Sequence, residues 1–368
     1  LKKIKKKNIF NMDQISNISS RNIIIFCLPT PVTKQNNPDM RFIKEALFKI
    51  SEFISDNTLL VIESTVYPGA TREIFEEIFY KKFKGKKINI NYGFSSERIS
   101  PGQKDKRKYK IDYQEIPKVI SANTQISLQK MNSFYKILFS KTFMAKSIEV
   151  AEMSKLLENS YRSVNIGLVN EFKVICKKNK INIHDVISAA STKSFGFTTF
   201  NPGPGVGGHC IPIDPLFVSW YAKKKGSSAD FIELARKKNL NITNWVIREI
   251  MKVINNLKIK KPKVLLIGAA YKEDVNDCRE SPSLRIIEKI KSRNIYIDYF
   301  DPFISQVSVN KKNIFSIKNL NSISSYDLVI LATNHSNLPY NKILNKCKIL
   351  IDTRGQYKGN KSKKIHFI

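Results

Sequence analysis

The chain has 368 residues, of which 42% are hydrophobic, and 63 Lys and Arg against 31 Asp and Glu give it a formal net charge of +32. This length suits two or three domains with buried cores, and this composition excludes a disordered chain. No apolar run reaches the roughly 18 residues of a membrane span, and the basic N-terminus lacks the apolar segment of a secretory signal.

The positive charge has two interpretations. A basic chain can attract nucleic acid, membrane surfaces or phosphorylated ligands. Here the lysines form short clusters, such as Lys5–Lys7 and Lys223–Lys225, in sequence rich in Ile and Asn, without a zinc-finger, RRM-like or basic-zipper motif. We therefore favour solvated lysine-rich surfaces, with no nucleic-acid partner and no membrane partner.

Five cysteines are scattered through the chain, and their odd number argues against a disulfide framework. Reduced thiols are typical of cytoplasmic proteins, so we expect a cytoplasmic location. Their spacing matches no zinc site, and we expect no bound metal. The five are Cys27, Cys176, Cys210, Cys278 and Cys347.

The first part of the chain, residues 1–146, alternates short apolar runs with amphipathic stretches. This alternation predicts a doubly wound, Rossmann-like α/β domain. The predicted strands are Asn22–Leu28, Thr58–Glu63, Ile88–Tyr92, Lys118–Ser121 and Thr142–Ala145. The predicted helices are Arg41–Ile54, Ala70–Tyr80 and Gln125–Leu138.

The next part, residues 147–257, is predicted to be a helical central domain. Ile148–Lys178 has no proline, one glycine and continuous helical periodicity, so it predicts one long helix. Such a helix is long enough to connect two domains and to pack against a second subunit. Further helices are predicted at Ile183–Ala190, Pro215–Lys223 and Asp230–Asn256.

Strand–helix alternation resumes over residues 258–368 and predicts a second, smaller Rossmann-like α/β domain. A basic linker, Lys258–Lys263, precedes it. The predicted elements are strands at Val264–Gly268, Ile295–Phe300, Leu328–Ala332 and Ile349–Asp352, and a helix at Ser283–Ser292.

The segment Phe200–Pro215, FNPGPGVGGHCIPIDP, places four glycines and four prolines around Cys210. Glycines let a backbone approach a ligand closely, and successive amides can bind an anion. A helix that begins near Pro212 or Pro215 would lower the pKa of the thiol, which predicts a nucleophilic thiolate. Asp214 is near enough to orient water or a cation. The alternative is an inert buried cysteine beside a turn.

Five other segments carry candidate polar groups. Lys155 and Asn159 are spaced i, i+4 and share one helix face, although a solvated lysine would show the same spacing. Ligands of open α/β sheets bind beyond the carboxyl ends of strands, where polar residues can also be simple turn formers. The segments at such positions are Leu28–Pro31 (LPTP), Glu63–Gly69 (ESTVYPG), Ser95–Gly102 (SSERISPG) and Gly268–Pro282 (GAAYKEDVNDCRESP).

These segments, in this order, closely resemble the UDP-glucose/GDP-mannose dehydrogenase family of nucleotide-sugar 6-dehydrogenases, from about Ile23 to the C-terminus. TVYPG, SERISPG and AEMSKLLENSYR are most similar to the branch that acts on UDP-N-acetylhexosamines for surface polysaccharides. The resemblance implies oxidation of a sugar C6 hydroxyl to a carboxylate with two NAD+, through an aldehyde and a thioester on Cys210. It favours UDP-N-acetylglucosamine or UDP-N-acetylgalactosamine as substrate, and a homodimer or higher homo-oligomer.

The resemblance also implies roles for individual residues. Cys210 would be the nucleophile, and the other catalytic residues would be Lys155, Asn159, Asp214, Glu97 and Thr65. The cofactor-binding residues would be Thr30, Thr65, Glu97 and Arg279. The substrate-binding residues would be Arg162, Phe200, Gly203, Gly205, Gly207, Lys272 and Arg354.

Two features depart from the family pattern. Ser96 stands where a proline is expected, and no GxGYVGLP turn, which would bind the NAD pyrophosphate at a helix N-terminus, is present. We therefore expect a Rossmann-like domain without its first strands, poor NAD binding and slow turnover. The alternative to an active dehydrogenase is a catalytically impaired remnant that still binds UDP-sugar or a second subunit.

Overall fold

A computed structural model describes residues 12–55, 57–84, 90–99 and 113–368. The chain divides into two compact units. Unit 1 holds the described residues up to 99, together with 113–158 and 216–228, and unit 2 holds 159–215 and 229–368. The predicted domain boundaries stay a prediction.

Unit 1 contains a five-stranded sheet in the order β1-β2-β3-β4-β5. Its second strand, Leu59–Ile62, is short and apolar and is buried at every residue, as expected for a sheet covered on both faces. The strands are β1 (Ile23–Phe26), β2 (Leu59–Ile62), β3 (Asn91–Ser95), β4 (Lys118–Ala122) and β5 (Thr142–Met144). The helices are α1 (Arg41–Ile50), α2 (Ala70–Lys82) and α3 (Gln125–Tyr135).

The sequence predicted all of these elements, with two corrections. The third strand occupies Asn91–Ser95 rather than 88–92, and residues 88 and 89 lie outside the described part of the chain. A 3-10 helix at Met12–Ser20 was not predicted. The predicted SSERISPG segment is described only as far as Ile99.

The sheet of unit 1 is mixed, because β4 runs antiparallel to β3 while β1, β2 and β3 run parallel. Gly93 pairs with Ala122 and Ser95 with Ile120. The first residue of β4, Lys118, therefore lies at the sheet edge where β1, β2 and β3 end. This edge collects polar groups from four strands.

Four helices follow, close to their predicted bounds: α4 (Ile148–Lys178), α5 (Ile183–Ala190), α6 (Asp214–Lys224) and α7 (Asp230–Asn256). Local chemistry explains some of these bounds, since the Asn182 side chain caps α5 by accepting a hydrogen bond from the His184 amide. In the described ranges, no helix combines the length and hydropathy of a membrane span.

Unit 2 contains a parallel five-stranded sheet in the order β12-β11-β10-β6-β7. The strands are β6 (Lys263–Ile267), β7 (Tyr296–Phe300), β10 (Leu328–Leu331), β11 (Leu350–Asp352) and β12 (Ile365–Phe367), with helices α8 (Pro282–Lys291) and α9 (Tyr340–Lys346). A hairpin of β8 (Gln306–Val309) and β9 (Lys312–Phe315) was not predicted, and neither were α9 and β12. The hairpin turns at Asn310 and Lys311, which both have positive φ, the backbone of a type I′ turn.

Candidate active site

In unit 1, charged groups gather around Lys118 at the carboxyl edge of the sheet. The Lys118 side chain is only 3% exposed, and its Nζ lies 3.1 Å from Glu63 Oε1 and 3.1 Å from Glu97 Oε2. The Tyr135 hydroxyl donates to Glu63. The Lys118 ammonium also lies 5.3 Å from the ring centroids of Tyr135 and Phe139. A buried cation with two carboxylate partners satisfies the rule that buried charges are paired.

Glu97 is held by two lysines at two different atoms. Lys118 contacts its carboxylate, and Lys155 Nζ donates to its backbone carbonyl at 2.6 Å. The Ile99 amide donates to Glu97 Oε1 at 2.5 Å. Burial alone would raise the pKa of Glu97, but the Ile99 amide and Lys118 hold it below its usual value. The structure thus brings two predicted site residues, Glu97 and Lys155, into direct contact through the Glu97 backbone carbonyl.

The ends of β1 and β2 carry the predicted residues Thr30 and Thr65. Thr30 is buried and Thr65 is half-buried. Ser64 Oγ accepts from the Leu28 amide at 2.9 Å and lies 2.6 Å from the Leu28 carbonyl oxygen, so it ties the two strand ends together. Adjacent parallel strand ends of this kind are where open α/β sheets bind dinucleotides.

The N-terminus of α2 is occupied by a carboxylate of the protein itself. Glu152 of α4 accepts hydrogen bonds from the Gly69 amide at 2.5 Å and the Thr71 amide at 2.9 Å. Burial raises the pKa of Glu152 to about 7, against the opposing effect of these two residues. These amides therefore serve an internal contact and not a phosphate group.

In unit 2, the glycine-rich loop packs so closely on its neighbours that larger residues do not fit. A Cβ at Gly208, which has φ +81°, would lie 2.7 Å from the Tyr271 ring, and one at Gly203 would lie 2.7 Å from Arg354 Nη1. The Gly208 amide donates to the Arg279 carbonyl at 2.9 Å. Glycines were expected here because they let the backbone of the loop come close to a neighbouring group, and in the structure those neighbours include Tyr271 and Arg354.

Cys210 lies on this loop, with its side chain in the exposed class. Its carbonyl accepts hydrogen bonds from the Ile213 amide at 3.1 Å and the Asp214 amide at 2.8 Å, a turn that leads directly into α6. Asp214 is buried, and Asn159 Nδ2 donates to its Oδ2 at 2.5 Å. The structure therefore gathers the predicted residues Asn159 and Asp214, with the backbone of Cys210 beside them, and the Cys210 side chain is exposed and not buried.

Positive and polar groups surround the same loop within unit 2. Arg279 binds the Asp277 carboxylate through Nε at 3.0 Å and Nη2 at 2.7 Å. Burial and the charge of Arg162 lower the pKa of Lys272, so these two predicted residues are electrostatic neighbours. Burial and Asp277 raise the pKa of Tyr271, and Cys210 contributes to that shift. An anionic ligand would be stabilised by this set of cations.

Two further basic side chains, those of Lys173 and Arg354, pack against the loop. Lys173 Nζ donates to the Gly203 carbonyl at 3.2 Å, and Arg354 Nε donates to the Ala332 carbonyl at 2.6 Å. Burial, with help from Arg354, lowers the pKa of Lys173 to about 7. Phe200 stacks edge-on against Tyr161, with ring centroids 5.9 Å apart.

Comparison with known proteins assigns this arrangement to a family. Sequence profiles of the UDP-glucose/GDP-mannose dehydrogenase family match residues 1–139 (NAD binding domain), 149–241 (central domain) and 265–359 (UDP binding domain). The chain is 32% identical to a UDP-N-acetyl-D-mannosamine dehydrogenase of Methanococcus maripaludis, over 98% of this chain and 82% of that protein. The chain belongs to the UDP-glucose/GDP-mannose dehydrogenase family.

Other members support this assignment. A UDP-N-acetyl-D-glucosamine 6-dehydrogenase of Pseudomonas aeruginosa is 32% identical over 88% of this chain and 76% of its own length. The structure of a UDP-D-ManNAc dehydrogenase from Pyrococcus horikoshii shares the fold, with a TM-score of 0.83 at 24% identity over 96% of this chain and 82% of that one. The predicted α/β architecture with a helical middle section is confirmed, and the chain is a nucleotide-sugar 6-dehydrogenase whose cofactor is NAD.

In this chain, the residues that suit an NAD molecule lie beyond the ends of the strands of unit 1. Thr30 and Thr65 lie in the segments that follow the adjacent parallel strands β1 and β2, and Ser96 Oγ is buried without a hydrogen-bond partner among the described residues. These features suit a ligand at that edge. The described ranges hold no group of three or more His, Cys, Asp or Glu side chains that could bind a metal ion.

Sequence reasoning missed four residues of these sites. Glu63 stood inside the quoted ESTVYPG motif and Tyr271 inside GAAYKEDVNDCRESP, so the motifs contained a signal that their strand-end positions could have revealed. Lys118 and Lys173 carried no signal, because each is one of many lysines in a lysine-rich chain. Only burial distinguishes them.

Proposed function

We propose that the protein oxidises the C6 hydroxyl of a UDP-N-acetylhexosamine to the uronate, with two NAD+, for surface polysaccharide synthesis in the cytoplasm. The observation that carries this proposal is the exposed Cys210 on a glycine-rich loop whose turn leads into the Asn159–Asp214 pair. The sequence favours UDP-N-acetylglucosamine or UDP-N-acetylgalactosamine as substrate. The names of the relatives add UDP-N-acetylmannosamine to that set.

The sulfur chemistry explains why a cysteine is needed. The C6 alcohol first loses a hydride and a proton to become an aldehyde. The Cys210 thiolate then adds to the aldehyde carbon, and the resulting thiohemiacetal loses a second hydride and becomes a thioester. Water cleaves the thioester, which releases the uronate and returns the thiol. Bound NAD+ would accept the hydride in each of the two oxidations.

The other catalytic residues act on charge and protons. Lys155 would stabilise the oxyanion that develops at C6, an effect worth about 3 kcal/mol in a preorganised site, and Asn159 would assist it. Asp214 would transfer a proton through water, and Thr65 would position that water. Glu97, whose pKa is lowered by the Ile99 amide and Lys118 against the effect of burial, would act as the base in thioester hydrolysis.

Binding is assigned to the remaining predicted residues. Cations suit the diphosphate of a UDP-sugar, and the close-packed glycine loop offers backbone amides. The proposed substrate residues are Arg162, Phe200, Gly203, Gly205, Gly207, Lys272 and Arg354. The proposed NAD residues are Thr30, Thr65, Glu97 and Arg279. Residues 1–146, 147–257 and 258–368 would be the NAD-binding, central and UDP-sugar-binding domains.

A homodimer or higher homo-oligomer is part of the proposal. In unit 2, α4 exposes a row of large apolar side chains at helical spacing: Tyr161, Leu168, Phe172 and Ile175, each 47–52% exposed. Exposed apolar faces of this kind mark interaction surfaces. A second copy of the chain, packed through the same helix, would cover this row.

The test is a substrate panel. The purified protein with NAD+ is offered UDP-N-acetylglucosamine, UDP-N-acetylgalactosamine, UDP-N-acetylmannosamine, UDP-glucose and GDP-mannose, and NADH and uronate are measured together. We expect two NADH per uronate with a UDP-N-acetylhexosamine, at a low rate, because the sequence lacks the GxGYVGLP turn that would bind the NAD pyrophosphate. Cys210→Ser should lower uronate formation at least about 100-fold, whereas Cys278→Ser should not. Wild-type uronate formation by Cys210→Ser would disprove the proposal.

A further inference from the structure

The register of the unit 1 sheet sets Lys118 opposite Glu97. The last pair of the antiparallel β3–β4 ladder is Ser95 with Ile120, and Glu97 and Lys118 each lie two residues further towards the same edge. The side chains meet accordingly, with Nζ 3.1 Å from Glu97 Oε2. The lysine side chain is 3% exposed and the glutamate side chain 43% exposed. A buried cation thus anchors a carboxylate that still reaches the surface of the unit.

Glu63 shares this cation but has donors of its own. The Tyr135 hydroxyl donates to Glu63 Oε1, and Cys27 Sγ lies 3.8 Å from Glu63 Oε2. Hydrogen bonds from neutral donors compensate a buried carboxylate without another charge. Glu63 therefore does not depend on Lys118 alone, and the Lys118 ammonium can also bind Glu97. In return, the Glu63 carboxylate balances the charge of the buried lysine.

We propose that Lys118 is a positioning residue for the reaction, which fixes Glu97 as an ionised carboxylate at the sheet edge, with Glu63 and Tyr135 holding Lys118 in place. The inference rests on the proposed function in one respect, the role of Glu97 as the base. It adds a residue that neither the sequence motifs nor the family resemblance named. Lys118 itself touches no reacting atom.

The charged groups that face Glu97 make the direction of the effect clear. Lys118 contacts its carboxylate, Lys155 contacts its backbone carbonyl, and Glu63 contacts the same Lys118 ammonium. The neighbouring Arg98 is paired with Glu158. Removal of the ammonium should make Glu97 a weaker acid, whereas removal of the Glu63 charge should make it a stronger one.

The first experiment measures the ionisation of Glu97 directly. The carboxyl carbons of glutamate are labelled with ¹³C in the full chain, and the Glu97 signal is identified by its absence in Glu97→Gln. We expect the Glu97 titration midpoint to rise by about one pH unit in Lys118→Met. Lys118→Arg should restore most of the shift. An unchanged midpoint in folded Lys118→Met would overturn the proposal.

A second variant distinguishes an electrostatic effect on Glu97 from damage to the fold. Glu63→Gln keeps the size of the side chain and should move the Glu97 midpoint downward. A role in structure alone would loosen the edge in both variants and move the two midpoints in the same direction, which contradicts the proposal. Lys44→Met is the matched control, since Lys44 pairs with Glu77 at 2.6 Å on the surface of the same unit and should leave Glu97 unchanged.

Kinetics then separate this inference from the proposed function. The rate of uronate formation is measured against pH with saturating UDP-sugar and NAD+. If Glu97 is the base, the pH at which the rate falls to half on the acid side increases in Lys118→Met by the same amount as the NMR midpoint. KM should stay unchanged. A shifted midpoint with an unshifted rate profile supports the Lys118–Glu97 coupling and contradicts the catalytic role of Glu97.

Discussion

Two buried lysines, one in each unit, differ in the groups that surround their side-chain nitrogens. Lys118 of unit 1 lies between two carboxylates at 3.1 Å. Lys173 of unit 2 is as deeply buried, at 3% exposure, but donates to the neutral Gly203 carbonyl and feels repulsion from Arg354. Burial with paired charges keeps an ammonium charged, and burial without them favours its neutral form. The comparison teaches that, at equal depth, the available partners decide whether the burial of a lysine is compensated.

The largest expected effect comes from the paired lysine. Lys118→Met leaves Glu63 and Glu97 without their shared cation, and breaking a buried ion pair from one side costs about 3–5 kcal/mol. Urea unfolding at neutral pH measures this loss. Equal stability of Lys118→Met and wild type would remove the contrast between the two lysines.

Lys173, which forms no ion pair within the described part of the chain, should behave in the opposite way. The pKa of Lys173 is lowered from 10.5 to about 7, so between pH 7 and 10.5 the unfolded chain carries a proton that the folded chain lacks. The contribution of Lys173 to the free energy of unfolding of the wild type therefore rises with pH across that window, and it is lost as the pH falls towards 7. Lys173→Met should raise the free energy of unfolding at pH 7 by up to about 4 kcal/mol.

The pH dependence provides the check on Lys173. The gain from Lys173→Met over wild type, measured by urea unfolding, should shrink as pH increases from 7 to 10. Lys238→Met is the control, because Lys238 is exposed and pairs with Glu171 in the same unit. A gain that is independent of pH would contradict the lowered pKa of Lys173.

The loop above Lys173 depends on backbone geometry, and a smaller effect tests this. Gly208→Ala should cost about 2 kcal/mol, from strain at φ +81° and from the contact with Tyr271. Gly359→Ala is the matched control, since it has φ +80° and no atom within 4 Å of its Cβ position. Equal stability losses in the two variants, measured by thermal unfolding, would exclude a role for the Tyr271 contact.

The smallest expected effect is that of Glu63→Gln. The amide can still accept a hydrogen bond from Tyr135, and Lys118 keeps Glu97 as its partner. We expect a loss of about 1 kcal/mol in the free energy of unfolding. A loss as large as that of Lys118→Met would show that Glu63 and not Glu97 is the main partner of the lysine.

Much of the fold could be predicted from periodicity and local chemistry. Ile148–Lys178 and Asp230–Asn256 form helices at the predicted bounds, because long uninterrupted helical patterns are the strongest local signal. The β8–β9 hairpin escaped prediction because Asn310 and Lys311 form its turn without glycine. The short β12 carries too few residues for a pattern.

The candidate sites likewise contain some features that the sequence predicts and others that only the structure reveals. The sequence by itself determined the family, the Cys210 loop and the polar strand ends, because these depend on residue types at fixed spacing. Tertiary structure alone decided that β4 runs antiparallel and sets Lys118 against Glu97, and that Lys173 lies buried under Gly203. The physical reason is that a lysine has the same local signature in water and in a core, and only long-range packing determines which partners and which dielectric surround it.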